Sequence, residues 1–251
     1  MTLRNAKALV TGASSGLGAQ IATALAGEGA TVAIGYRSGE SRAQQICDRI
    51  VADGGAAFIV QMDQAEPDSV ERGVAEAIAQ LGGLDVLVNN AGMATGGHQL
   101  PPGDLDAFTP EIWDEMMAVN VRGPYLVARA AASTLREARG RIVNIGSTIG
   151  HGTWQAAAPY APSKGAVASL TRYLAAALAP DVSVNCVAPG LIEGTGMSGA
   201  APESYVESWR NKAVSGRTTS IDDAARHVLA FCSSSTVTGQ VLVIDGGVHF
   251  R

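Results

Sequence analysis

Aromatic residues supply only 5% of the chain, cysteine appears three times, and charged residues account for 16%. Each shortage narrows what the protein can be. Cys47, Cys186 and Cys232 are odd in number and far apart. They match neither a disulfide framework nor metal-ligand spacing, so no metal is expected and a reducing cytoplasm fits. There is no run of lysine or arginine and the net charge is −5, which argues against a basic face for nucleic acid. No apolar run approaches the roughly 20 residues that span a bilayer. The apolar stretch after Lys7 is too short for a secretion signal, so a cytoplasmic protein with no membrane partner is expected. Linkers, repeats and low-complexity segments are also missing, and the expectation is one domain over residues 1–251.

What is abundant is small or apolar. Hydrophobic residues make up 47% of the chain, and there are 30 glycines. That composition suits helices packed closely on a sheet, with enough apolar surface to offset the ordering entropy. Short β-rich runs fall at Ala8–Thr11, Thr31–Gly35, Ala56–Gln61, Val86–Asn89, Arg141–Ile145, Val182–Val187 and Val241–Ile244. They are continuously apolar, without in/out alternation, as expected for strands covered on both faces of a parallel sheet. Helical patterns lie between them near Gly16–Ala26, Glu40–Ala52, Glu66–Leu81, Pro110–Arg139 and Pro159–Leu178. Thr109 followed by Pro110 reads as an N-cap with proline at the first helical position. This alternation predicts the α/β class: a doubly wound, seven-stranded parallel sheet of the Rossmann type with helices on both faces.

A glycine-rich turn, Thr11-Gly12-Ala13-Ser14-Ser15-Gly16-Leu17-Gly18, stands between the first strand and the first helix. Gly12 permits a tight turn, Gly16 lets backbone approach a pyrophosphate, and Gly18 allows close helix–sheet contact. The following helix N-terminus presents unpaired N–H groups to the phosphates. Tyr160 and Lys164 are four residues apart, so a helix sets them on one face. The phenol has an ordinary pKa of about 10, and a nearby ammonium is expected to lower it.

The motifs together resemble the short-chain dehydrogenase/reductase family along the whole chain. Thr11–Gly18 matches its T-G-x-x-x-G-x-G, Asn89-Asn90-Ala91-Gly92 its N-N-A-G, and Tyr160-Ala161-Pro162-Ser163-Lys164 its Y-x-x-x-K. Asn120, Ser147 and Pro189-Gly190 occupy the family's remaining positions in the right order. The subgroup resembled most is the 3-oxoacyl-acyl-carrier-protein reductases and the bacterial sugar and alcohol dehydrogenases near them.

The resemblance implies catalytic roles for Asn120, Ser147, Tyr160 and Lys164. Tyr160 would be the acid/base, and Ser147 would hold the substrate oxygen. Lys164 would donate to the cofactor ribose, and Asn120 would anchor a relay water by its side chain or backbone, or merely fill a polar niche. The cofactor is expected to be held by Gly12, Ser14, Ser15, Gly16, Leu17 and Gly18. Tyr36, Arg37, Ser38, Asp63, Gln64, Asn90, Ala91 and Gly92 would meet its adenosine half, with Asp63 equally able to cap the next helix. Pro189, Gly190, Ile192 and Thr195 would face the nicotinamide, although Gly194 lengthens the spacing to Thr195 by one residue. Tyr36-Arg37-Ser38 carries no carboxylate at the ribose position, which points to NADP(H), with NAD(H) as the other possibility.

Leu191–Val214 holds several glycines and reads either as a lid over the ligand or as a plain surface loop. Met93–Asp106 looks long and would reshape the pocket rim; His151 and Trp154 either face substrate or are merely exposed. The expected activity is NADPH-dependent reduction of a ketone, including a 3-oxoacyl thioester, to a secondary alcohol. A sugar or alcohol dehydrogenase, or a non-catalytic dinucleotide sensor, is the alternative. The expected partners are a small carbonyl or alcohol substrate and, by family resemblance, three further copies in a homotetramer. Ala130–Ala132 and Ala175–Ala177 are small enough for close helix contact there, or against the sheet.

Overall fold

Valine, isoleucine, leucine and alanine fill the central strands, which are buried between helical layers on both faces, whereas the last strand leaves Leu242 36% exposed. The computed structural model describes residues 2–94, 106–152, 159–196, 198 and 201–249. The strands are β1 (Lys7–Val10), β2 (Thr31–Tyr36), β3 (Ala56–Gln61), β4 (Val86–Asn89), β5 (Arg141–Ile145), β6 (Ser183–Pro189) and β7 (Val241–Ile244). They form one sheet in the order β3-β2-β1-β4-β5-β6-β7. Every neighbouring pair is parallel. The doubly wound sheet expected from the sequence is what the chain forms.

Two apolar layers cover it. Ala8 and Val10 of β1 face one layer, with α1 (Gly16–Gly27), α2 (Glu40–Ala52) and α8 (Ile221–Ser233). Leu9, between them, faces the other, with α3 (Pro67–Leu81), α5 (Gly123–Glu137) and α6 (Tyr160–Ala177). Adjacent residues thus go to opposite cores, as the pleat requires. Ala131 and Ala175 lie in the second core, whereas Ala176 and Ala177 are exposed.

The pattern read as one helix over Pro110–Arg139 resolves into three parts. These are α4 (Pro110–Met117), a π turn (Ala118–Arg122) and α5, with Arg139 left-handed at φ 50° just beyond. Two further helices, α7 (Glu203–Lys212) and α8, were not anticipated. α7 lies inside the segment expected to be an irregular lid. Gly96-Gly97, Pro101-Pro102 and Trp154 fall outside the described residues. Among the described residues no helix is long and apolar enough to cross a membrane.

The strand order reverses between β1 and β4, where crossovers leave in opposite directions. In open α/β sheets the carboxyl edge beside such a switch point is where ligands bind. The glycine turn follows β1 and Asn89–Gly92 ends β4, so both motifs flank it.

Candidate active site

The turn after β1 is built around conformations that side chains rarely adopt. Gly12 and Gly16 have φ of 63° and 56°. A Cβ on Gly12 would lie 2.7 Å from the Ala91 Cα, and one on Gly18 would collide with the Asn90 amide. Asn90 fastens the two motifs together, its Nδ2 donating to the Thr11 and Gly12 carbonyls at 2.9 and 3.1 Å. Thr11 Oγ1 accepts from the Asn90 and Ala91 amides at 3.1 and 3.0 Å. Ser15 stands at the N-cap of α1 without capping it through its side chain. The first amides of α1 are therefore left to an outside acceptor, and the cradle fits the pyrophosphate of a dinucleotide.

At the end of β2, Tyr36 is turned into the core, and burial together with Glu40 raises its phenol pKa. Arg37 and Ser38 are exposed beside it. Asp63 Oδ1 accepts from the Ala65 amide at 2.9 Å, closing a turn before α3, whose N-cap is Glu66. The Gln64 side chain is buried against Gly123, and neither amide atom has a hydrogen-bond partner. A Cβ on Gly92 would lie 3.2 Å from Asn120 Oδ1, 3.4 Å from Lys164 Nζ and 3.9 Å from the Asn90 carbonyl oxygen.

Asn120 lies in the π turn, a widened turn that often marks functional positions. Its Oδ1 accepts from the Met93 amide at 2.9 Å, and its Nδ2 donates to the Met93 carbonyl and Ser163 Oγ at 2.8 and 3.0 Å. Ser163 Oγ in turn donates to the Tyr160 carbonyl at 2.8 Å. Asn120 thus connects the loop after β4 to the first turn of α6, and its side chain has no donor left for water.

Ser147 follows β5 and caps a short 3₁₀ turn (Thr148–His151), its Oγ accepting from the Ile149 amide at 3.3 Å. This turn lies flush on α6: a Cβ on Gly150 would be 2.5 Å from the Lys164 backbone carbon. The Ser147 hydroxyl also hydrogen-bonds the Tyr160 phenol. Lys164 Nζ donates to the Ile145 carbonyl at 3.0 Å and lies 5.8 Å from the centre of the Tyr160 ring.

The expected lowering of the Tyr160 pKa is overturned. Burial pushes it up to about 12, with the Ser147 hydrogen bond pulling the other way. Burial also lowers Lys164 to about 8. Each group loses hydration on burial, and that loss dominates both shifts, over the Ser147 hydrogen bond at Tyr160 and the Cys186 thiol at Lys164.

On the far side of the cleft, Thr195 Cγ2 comes within 3.7 Å of where a Gly16 Cβ would be. Its hydroxyl turns back on the Ile192 carbonyl at 3.2 Å. The extra residue, Gly194, is accommodated at φ 72°. Arg210 of α7 grips Glu193 as a fork, at 3.1 and 2.6 Å, and Glu203 at 2.9 Å. Thr218 adds a hydroxyl donor to Glu193 at 2.6 Å. His151 has its Nε2 buried without a partner and lies edge-on to His249. Burial, then His249, lowers its pKa. Among the described residues no cluster of three or more His, Cys, Asp or Glu could hold a metal ion.

A glycine cradle at the switch point, with Ser147, Tyr160 and Lys164 gathered on the same sheet edge, defines a dinucleotide-dependent oxidoreductase. Residues 12–249 match the family described as enoyl-(acyl carrier protein) reductase. A 3-oxoacyl-[acyl-carrier-protein] reductase from Aquifex aeolicus is 35% identical, across 98% of this chain and 98% of that protein. A short chain dehydrogenase from Burkholderia cenocepacia, solved in complex with NADP, is 37% identical with a TM-score of 0.89, across 99% of both chains. A gluconate 5-dehydrogenase from the same organism, solved with NADP and tartrate, is 32% identical with a TM-score of 0.90. It aligns with 100% of this chain and 98% of its own. The chain belongs to the short-chain dehydrogenase/reductase family and is an oxidoreductase acting on CH–OH groups.

Proposed function

We propose that the protein reduces a ketone, with a 3-oxoacyl thioester as the first candidate, to a secondary alcohol at the expense of NADPH. The observation that carries this reading is the buried Ser147–Tyr160 pair with Lys164 one helical turn on. When bound, the nicotinamide supplies a hydride to the carbonyl carbon. Ser147 and Tyr160 donate to the carbonyl oxygen, and the phenol proton passes to it as the C–O double bond becomes single. Lys164 then returns a proton to the phenolate, and the backbone of Asn120 holds the water that connects Lys164 to solvent.

A phenol held near 12 stays protonated at neutral pH. That suits an acid waiting to donate, whereas alcohol oxidation needs the phenolate first.

Gly12–Gly18 holds the pyrophosphate, and Arg37 with Ser38 the adenosine end. Asp63, the Gln64 backbone, Asn90 and Ala91 line that half. Gly92, Pro189, Gly190, Ile192 and Thr195 serve the nicotinamide half. The whole chain acts as one domain, with α7 and its flanks as the lid. Three buried free thiols fit a reducing cytoplasm.

Self-association as a tetramer is supported by the groove between α4, the π turn, α5 and α6, where Met117, Val121, Tyr125 and Leu170 are flanked by Asp114 and Arg122. Tyr125, which lines that groove, exposes 38% of its surface.

The test follows NADPH absorbance with 3-oxoacyl thioesters and simple ketones, and NADP⁺ reduction with gluconate and secondary alcohols. Ketone-dependent NADPH loss is expected. Turnover confined to the alcohols would support the dehydrogenase reading, and none at all the non-catalytic one. Light scattering on the purified protein reads the assembly.

A further inference from the structure

Ser147 is held in part by something the catalytic motifs do not contain. The next residue, Thr148, is fully buried, and its Oγ1 donates to Asp245 Oδ2 at 2.6 Å. Asp245 follows β7, at the far end of the sequence, and is itself 6% exposed. The His249 amide donates to the same Oδ2 at 2.9 Å. The Gly247 and Val248 amides donate to Oδ1 at 2.9 and 3.1 Å. Asp245 takes part in no salt bridge among the described residues. Four donors therefore compensate one buried carboxylate.

The Asp245 Cα and Cβ also pack on the residue that follows β6. A Cβ on Gly190 would lie 2.9 Å from the Asp245 Cβ. Thr219 completes the junction, donating to the Ile244 carbonyl at 2.6 Å and accepting from the Gly190 amide at 3.0 Å. The ends of β5, β6 and β7 thus meet at Asp245, whose partner Thr148 directly follows the Ser147 hydroxyl that contacts Tyr160.

We infer that Asp245, acting through Thr148, is a positioning residue that sets the Ser147 hydroxyl against Tyr160. An amide cannot replace the carboxylate. It offers one acceptor and one donor, and its NH₂ would face N–H groups that need an acceptor. The hydroxyl of Thr148 is the separable part of the device, because Asp245 keeps its three amide donors without it. This inference rests on the reductase reading for its effect on turnover, but not for its effect on the turn.

Thr148→Val removes the hydroxyl with little change of shape, and Thr148→Ser retains it. In Thr148→Val, kcat is expected to fall about tenfold, since a small misplacement of a reacting group carries a penalty of that order or more. The Kd for NADPH without substrate, read by fluorescence, should stay within about twofold, and Thr148→Ser should recover most of the rate. The amides of Ile149 and Gly150 bond to Ser147 Oγ and to the Ser147 carbonyl. Their hydrogen exchange should quicken in Thr148→Val, while the sheet is unchanged. Unchanged exchange at Ile149 and Gly150 overturns the inference. So does unchanged kcat in an active protein, a loss that Thr148→Ser does not recover, or an equal loss of NADPH binding. If the wild type turns over nothing, the reductase reading fails, and the exchange measurement alone decides the role of Asp245.

Discussion

Lys164 points its ammonium at the Ile145 carbonyl, 3.0 Å away, and holds it 5.8 Å from the centre of the Tyr160 ring. The lysine is 4% exposed, and burial lowers its pKa to about 8. In the unfolded chain it titrates near 10.4. Below pH 8 the fold therefore carries a buried charge that the unfolded chain solvates. Between pH 8 and about 10.4 the unfolded state binds the extra proton, so stability rises with pH through that window. The penalty at neutral pH is about 3 kcal/mol as an upper bound, at 1.36 kcal/mol per pH unit.

Lys164→Met should consequently melt higher than wild type at pH 7 in the absence of cofactor, and the gap should close toward pH 10. Thermal melts at both pH values check this. A mutant that melts lower at pH 7 by the same margin as at pH 10 would show that the Ile145 hydrogen bond outweighs the buried charge. On the proposed ribose contact of Lys164, the same mutant should bind NADPH more weakly and turn over more slowly. A loss of rate alone would remove the ribose role.

Tyr160→Phe isolates the proton. The ring remains packed beside Met116, where Tyr160 already sits, and only the hydroxyl is deleted. Turnover should fall about 10²–10⁴-fold, the usual contribution of a positioned acid. NADPH affinity should be preserved. Retention of a tenth or more of wild-type kcat would reject Tyr160 as the donor.

The strands were legible in the sequence for a definite physical reason. A buried parallel strand is apolar on both faces, so Val86–Asn89 and Arg141–Ile145 are found in the structure at the bounds read from the sequence. α8 went unseen, although Ser220 caps it by accepting from the Asp223 amide. Buried residues recur at Ala224, Ala225, Val228 and Cys232. Period and cap together were a usable signal.

Other features were not written locally. The π turn at Asn120 is stabilised by Met93 and Ser163, which lie 27 and 43 residues away. The Thr148–Asp245 bond spans 97 positions. The reversed pKa shift of Tyr160 depends on burial, which spacing alone does not contain.

The fork between Arg210 and Glu193 links α7 to the segment that follows β6. Both side chains are more than a third exposed, at 38% and 39%, so the pair should add little to global stability, within about 1 kcal/mol. Its effect should be local. Arg210→Ala should quicken hydrogen exchange in α7 and raise KM for the carbonyl substrate, with little change in Tm. Saturating NADPH should slow exchange over residues 203–212 in wild type and do so less in the mutant. Unchanged protection on ligand binding would make this segment an ordinary surface element.

Cofactor choice should turn on Arg37. An NAD-binding relative of this fold places an acidic residue at the end of the second strand, where it pairs with the ribose 2′-hydroxyl and repels a 2′-phosphate. Here that place is held by Tyr36, whose side chain is buried, and the chain then presents Arg37 and Ser38 to solvent. Arg42, which the sequence motifs did not single out, lies at the same corner. A Cβ on Gly39 would come within 2.6 Å of its NH2 group. The nearest following carboxylate in sequence, Glu40, begins α2 and is favoured there by the helix dipole. A guanidinium meets a phosphate as a fork, and a hydrogen bond to a charged group contributes about 1.5–3 kcal/mol, roughly ten- to a hundredfold in affinity. Wild type should therefore show a kcat/KM for NADPH higher than that for NADH by about that factor. Arg37→Ala should lose most of the difference through KM for NADPH, leaving the NADH value nearly unchanged. Because the 2′-phosphate contact is ionic, the preference should also shrink as salt is raised. Equal kcat/KM for the two cofactors in wild type, or an Arg37→Ala variant that keeps its preference, would remove Arg37 from the site and leave Arg42 as the next residue to substitute.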